Sequence, residues 1–302
     1  MQVFIFGAGY SGKAFAAARP AGATRIVGTT RDEAKFPALQ ASGIAPLTFG
    51  GRSVSGNVIN ALADTTHLIV SVAPDDAGDP VLAAARETIL GAMPRLGWIG
   101  YLSTVGVYGD HLGAWIDEST ECRPTSARSR RRVEAEQQWL ELGRDASLPV
   151  AVLRLSGIYG PGRNAFVNLR DGTAKRLIKK DQVFNRIHVS DIAGALWHLA
   201  ERNLGGVFNV TDDLPAPPQD VVAYAAQVMG VESPPEIPFE TAELSPMARS
   251  FYGENKRVSN ALIRRTGYSF RYPDYRAAFD AMWADGSWAG DAAGARSPIR
   301  AS

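Results

Sequence analysis

Short apolar runs alternate along the chain with segments whose apolar positions recur every three or four residues. "QVFIF" is followed by "GKAFAAARP", "TRIVGT" by "RDEAKFPALQ", "IAPLTF" by "VSGNVINALA", and "HLIVSVA" by "VLAAARETILGAMPRLG", after which comes "WIGYLST". Runs that are apolar at every position suit strands buried on both faces, and the segments between them have the period of amphipathic helices. Strict alternation of the two predicts an α/β fold, a doubly wound parallel sheet with helices on either side.

After "YLSTVGVYGD" the alternation loosens. A long loop leads to a helix that begins in "PTSARSRRRVEAEQQWL", then to a buried strand "PVAVLRLS", a Gly/Pro-rich loop "GIYGPGRN" and a late strand "GVFNVT". Residues 1–165 and 186–212 are expected to form the main domain, and 166–185 with 213–285 a smaller C-terminal lobe over the sheet's carboxyl edge. The Gly/Ala/Ser-rich end, 286–302, has no period and is expected to be a disordered tail.

Composition narrows the partners. A net charge of +1 leaves no general basic field, so nucleic acid is not an expected partner. The single cysteine, Cys122, excludes an internal disulfide framework and a cysteine-built zinc site, and no metal is expected. A reducing, cytoplasmic setting fits best. The start "MQVFIFGAGY" has no basic n-region or cleavage site, and no apolar run approaches the ~20 residues of a membrane span.

Between the first strand and first helix stands Gly7-Ala8-Gly9-Tyr10-Ser11-Gly12, a G-x-G-x-x-G loop. Gly7 permits the tight turn, Gly9 lets a pyrophosphate approach the backbone, and Gly12 lets the helix pack close to the strand. Free N–H groups at the helix start would face the anion. The main domain is therefore expected to bind a dinucleotide. The second strand ends in Thr30 and Arg31 where an NAD enzyme would place an acidic residue against the ribose, and an arginine there suits a 2′-phosphate, favouring NADP with NAD as the alternative. Thr30-x-x-Glu33 also reads as a capping box, which leaves Arg31 unexplained. Ala73 and Pro74, just past the fourth apolar run, join the candidate cofactor contacts.

"GAGYSG", "YLSTVGVYGD", "VLRLSGIYGPGRN", "RIHVSDIAGAL" and "GGVFNVTDDLPAP" together resemble the extended or atypical short-chain dehydrogenase/reductase family, which includes nucleotide-sugar epimerases, dehydratases and reductases. The resemblance covers roughly residues 1 to 285. It implies an NAD(P)-binding Rossmann domain, a substrate-holding C-terminal lobe and a homodimer formed through the fourth and sixth helices. It also makes Thr104 the strand-end hydroxyl that polarises the reacting oxygen, with Ser103 beside it. The family's Tyr-x-x-x-Lys pair is missing: matching Glu136 and Trp139 to the family's helix puts Arg128 at the tyrosine position and Arg132 at the lysine position. A guanidinium can stand as a fixed cation beside a ribose but does not deprotonate, so Arg128 cannot replace a phenol.

Arg128, Arg131 and Arg132 share one helical face, which suits either an anion or a solvated surface in which Arg130 and Arg132 pair with Glu134 and Glu136. Tyr108, Tyr159, His188 and Tyr252 remain as proton donors; Arg154, Arg163, Lys256 and Arg257 remain as holders of an anionic substrate. Two readings stay open: an oxidoreductase or epimerase/dehydratase acting on a small polar, anionic hydroxyl or carbonyl compound such as a nucleotide sugar, and a non-catalytic NADP(H) sensor.

Overall fold

Seven strands form one parallel sheet: β1 (Val3–Phe6), β2 (Ile26–Thr30), β3 (Ala45–Thr48), β4 (His67–Val70), β5 (Trp98–Thr104), β6 (Val150–Leu155) and β7 (Gly206–Val210). Their order across the sheet is β7-β6-β5-β4-β1-β2-β3, in a computed structural model that describes residues 1–20 and 25–290. The order reverses between β1 and β4. In such sheets ligands bind outside the carboxyl ends of the strands at that reversal.

Alternate side chains of each strand enter separate cores. Val3 and Ile5 of β1 face one layer, and Phe4 and Phe6 face the other. On the first side lie α1 (Tyr10–Ala17), α2 (Phe36–Ala41) and α7 (Val189–Glu201), with Phe15 stacked on Trp197 at 4.1 Å. On the second lie α3 (Gly56–Ala63), α4 (Pro80–Gly91) and the 19-residue arginine-led helix α5 (Ala127–Asp145). Asp79 joins two of these helices: its carboxylate caps α4 by accepting from the Val81 and Leu82 N–H groups, and it accepts from Trp139 Nε1 of α5 at 3.1 Å.

In a further core, α6 (Ala165–Arg170), α8 (Pro218–Met229) and the helix Tyr275–Ala284 pack around Phe166, Val221, Tyr275 and Phe279. Residues 287–290, inside the expected tail, instead form a 3-10 turn whose Trp288 packs on Phe166. Composition averages over the segment, whereas one tryptophan with an aromatic partner suffices to anchor a turn. The rest of that expectation, 291–302, lies outside the described residues.

Among the described residues, no helix is long and apolar enough to cross a membrane, and no three His, Cys, Asp or Glu side chains converge as metal ligands.

Candidate functional site

The glycine loop stands at the sheet reversal. Gly7 has φ +81°, and a Cβ there would press on Val72 in the segment after β4. A side chain is therefore excluded both by conformation and by space. The turn is tied down by Thr29, whose Oγ1 accepts the Gly7 N–H at 2.9 Å and whose carbonyl accepts the Ala8 N–H at 2.8 Å. Gly9 is exposed with open space at its missing Cβ, as close approach of an anion requires. The first helical bond of α1 runs from Lys13 N–H to Gly9 O, and no side chain caps the helix. The N–H groups of Tyr10, Ser11 and Gly12 thus remain for a phosphate.

The close packing expected of Gly12 falls to another glycine. A Cβ on Gly12 would make only ordinary contacts, 3.5 Å from Ile5 and 3.6 Å from Ala8, whereas one on Gly28 of β2 would stand 2.7 Å from both the Ala8 and Ile44 side chains. Close packing beneath the loop is set by Gly28, which sequence reasoning missed because the approach is tertiary.

At the end of β2, Asp32 rather than Thr30 caps the following 3-10 turn, accepting from Ala34 N–H at 3.0 Å. Glu33 accepts from Thr48 instead of closing a box. The reason is that Thr30 is still part of β2, so the turn begins later. Arg31 is exposed and makes no hydrogen bond or ion pair among the described residues. Ala73 and Pro74 follow β4 on the other side of the reversal, beside the Val72 that faces Gly7.

The candidate catalytic residues separate into different environments. Ser103 is buried, and its hydroxyl donates to Glu136 of α5. The same carboxylate takes a forked pair of bonds from Arg154 of β6, at 3.1 and 2.8 Å, with both side chains almost fully buried. Burial alone would lower the Arg154 pKa, but its bonds and charge interaction with Glu136 overcome that and raise it. Ser103, Glu136 and Arg154 are therefore one internal network beneath the site, and Arg154 is not free to hold a substrate.

Thr104 is half-exposed. Its Oγ1 accepts the Gly106 N–H at 3.1 Å, capping the turn Val105–Tyr108, which leaves its O–H proton to donate outward. On α5 the residue facing this place is Ser129: its Oγ and that of Thr104 each lie 3.4 Å from where a Cβ on Gly106 would stand. Ser126 Oγ in turn donates to Ser129 Oγ at 2.9 Å. These two serines escaped sequence reasoning, although the S-x-x-S spacing at a helix start is a capping signal, and Ser126 is the N-cap of α5.

The arginines do not form a common face. Arg132 turns inward, donating to Leu102 O at 2.9 Å and Tyr101 OH at 3.0 Å; Arg131 pairs with Asp76; Arg130 donates to Thr125 O. Arg128 is exposed with no partner among the described residues. The Arg132–Glu136 pair of the solvated-surface alternative does not form, because a forked bond to buried Arg154 outweighs a helix-surface pair of a few tenths of a kcal/mol.

Burial moves all four candidate proton donors, Tyr108, Tyr159, Tyr252 and His188, away from neutrality. Burial pushes Tyr108 up to about 12, with its hydroxyl donating to Asn209, and burial also raises Tyr159 and Tyr252. Lys256 is buried on Gly109 O and Glu254, Arg257 donates to Gly113 O, and Arg163 is exposed.

His188 is 2% exposed, and burial together with Arg271 lowers its pKa to about 4. The unfolded chain therefore takes up this proton first. The stabilising contribution is complete above about pH 6.5 and is lost as pH falls toward 4, by at most about 3 kcal/mol. In a His188→Asn variant, melting temperature should fall less steeply than in the unmodified chain between pH 6.5 and 4.5. Parallel curves would show that His188 is not the group responsible.

Comparison with known proteins bears on the fold and the family. A solved structure of a functionally unknown conserved protein from Silicibacter pomeroyi is 47% identical, covering 94% of this chain and 98% of that one, with a TM-score of 0.85. Protein YeeZ of Escherichia coli strain K12 is 28% identical over 286 residues, 90% of this chain and 97% of YeeZ. The human epimerase family protein SDR39U1 (isoform 2), solved with NADPH, shares the fold at 18% identity and a TM-score of 0.72, over 94% of this chain and 100% of that one. The model of the NAD dependent epimerase/dehydratase family matches residues 3–211, the span from β1 to the end of β7, and the chain belongs to that family.

Proposed function

We propose that the chain binds NADP(H) across the sheet reversal and acts as an oxidoreductase or epimerase on a small, polar, anionic hydroxyl or carbonyl compound, such as a nucleotide sugar. The observation that carries the cofactor reading is the open start of α1 behind Gly7 and Gly9. Gly7, Ala8, Gly9, Tyr10, Ser11 and Gly12 would hold the pyrophosphate, Thr30 and Arg31 the adenosine ribose and its 2′-phosphate, and Ala73 with Pro74 the opposite wall. The unpartnered Arg31 favours NADP over NAD. Bound there, the nicotinamide would give or take a hydride.

The remaining chemistry falls to this chain's side chains. Thr104 would donate a hydrogen bond to the reacting oxygen and so polarise it, and Ser129 with Ser126 would extend that hydroxyl set toward solvent. Arg132 would supply the fixed positive charge that the missing lysine gives elsewhere in the family, and the free Arg128 would meet the substrate's anionic group. Ser103 would act only by holding Glu136 and β5 in place.

Arg31→Ala should weaken NADPH binding by about tenfold or more while leaving NADH binding nearly unchanged, since only the former has a 2′-phosphate. Equal losses for both in a fluorescence titration would remove the NADP assignment.

A second reading is a non-catalytic NADP(H) sensor, favoured by the absence of tyrosine and lysine from α5. A screen of nucleotide sugars and small alcohols, with NADPH oxidation or product mass as readout, separates the two. Inactivity across the panel despite tight cofactor binding would favour the sensor.

A further inference from the structure

The turn at residues 287–290 reaches the cofactor loop through one intermediate. The Trp288 carbonyl accepts from Gly162 N–H at 2.9 Å and from Asn164 Nδ2 at 2.8 Å, and Asn164 Nδ2 also donates to Gly160 O. Gly290 lies against the same loop: a Cβ on it would come within 3.0 Å of Gly162 N and Cα. On its other side the loop meets Tyr10, whose hydroxyl donates to Pro161 O at 3.0 Å and leaves no room for a Cβ on Gly160. Tyr10 is the first residue of α1, inside the glycine loop.

The Trp288 ring anchors this arrangement to the smaller lobe. It stacks on Trp283, contacts Phe166 edge-on and lies beneath the Arg170 guanidinium. Asn164 adds a second tie, since its Oδ1 caps α6 by accepting from Val167 N–H. The segment 160–164 is therefore held between the C-terminal turn and Tyr10.

We propose that the C-terminal turn is a positioning element for the dinucleotide: through Gly160–Asn164 it fixes Tyr10 and so the N–H groups at the start of α1. The inference rests on the cofactor reading above, and none of residues 287–290 would itself touch the dinucleotide. A preorganised anion cradle binds more tightly because less order is lost when the ligand arrives.

The test is a double-mutant cycle in the full-length chain, read as the NADPH dissociation constant alongside melting temperature. Trp288→Ala should weaken binding by about fivefold, and Asn164→Asp by about tenfold. The latter keeps the α6 cap while replacing the amide donor that serves two carbonyls. Tyr10→Phe, which cuts the link to Pro161, should weaken binding similarly. Adding Trp288→Ala to it should then cost little more, because both act along one path. Phe239→Ala, which removes a ring stacked on Tyr252 and touching no part of this arrangement, should lower the melting temperature but leave the affinity unchanged.

Unchanged affinity in Trp288→Ala and Asn164→Asp would overturn the proposal, as would fully additive losses in the double variant. No binding of either nicotinamide cofactor to the unmodified chain would overturn the cofactor reading and this proposal with it. Binding to the unmodified chain with unaltered variants would overturn this proposal alone.

Discussion

Replacing Glu136 with alanine should destabilise the fold by about 3–5 kcal/mol, the range for removing one partner of a buried ion pair. The substitution leaves Arg154 buried without a counter-charge and Ser103 without its acceptor, and the orphaned guanidinium would lie over the Tyr108 ring 4.7 Å away. Most of the loss is the cost of an uncompensated charge rather than the worth of the pair itself. A Glu136→Leu, Arg154→Met double variant should therefore recover most of the stability. Denaturant midpoints at constant slope provide the measurement. A loss under 1 kcal/mol in the single variant would mean that water reaches this network.

Thr104→Ala should lower turnover on an accepted substrate by about 100- to 1000-fold, the usual effect of removing one aligned donor to a developing oxyanion. Thr104 lies at the end of β5, two strands across the sheet from β1, which leads into the glycine loop, so NADPH affinity should be preserved. Thr104→Ser keeps the hydroxyl and should restore most of the rate. Ser129→Ala should have a smaller effect, since water can replace a relay hydroxyl more readily than a donor in direct contact. Unaltered turnover in Thr104→Ala would remove this residue from the chemistry. A matching loss of NADPH affinity would show that its effect operates through binding.

Features set by local chain geometry were legible in the sequence. The alternation of apolar runs and helical periods led to the doubly wound sheet, and a turn that only glycine can make led to Gly7. What escaped were contacts between residues distant in the chain. Glu136 and Arg154 are 18 positions apart, and in sequence both look like surface charges; only the packing of α5 on β5 and β6 shows that they are enclosed together. Gly28 likewise looks like an ordinary strand glycine until Ala8 and Ile44 are seen against it.

The arginine run marks the same boundary. Helical spacing placed Arg128, Arg131 and Arg132 on one side, but each long side chain follows its nearest acceptor: Arg132 goes to the sheet, Arg131 to Asp76, and Arg128 is left free. Spacing fixes where a Cβ points, and the charged end is then decided by acceptors that the sequence does not locate.

Whether this chain holds NADP(H) on the glycine loop is decided by calorimetric titration of the unmodified chain with NADPH and then NADH. One molecule should bind per chain, with NADPH tighter by about tenfold or more, and a bulky substitution such as Gly9→Val should abolish both. Binding of neither cofactor, or binding that survives Gly9→Val unchanged, would contradict NADP(H) binding on the glycine loop.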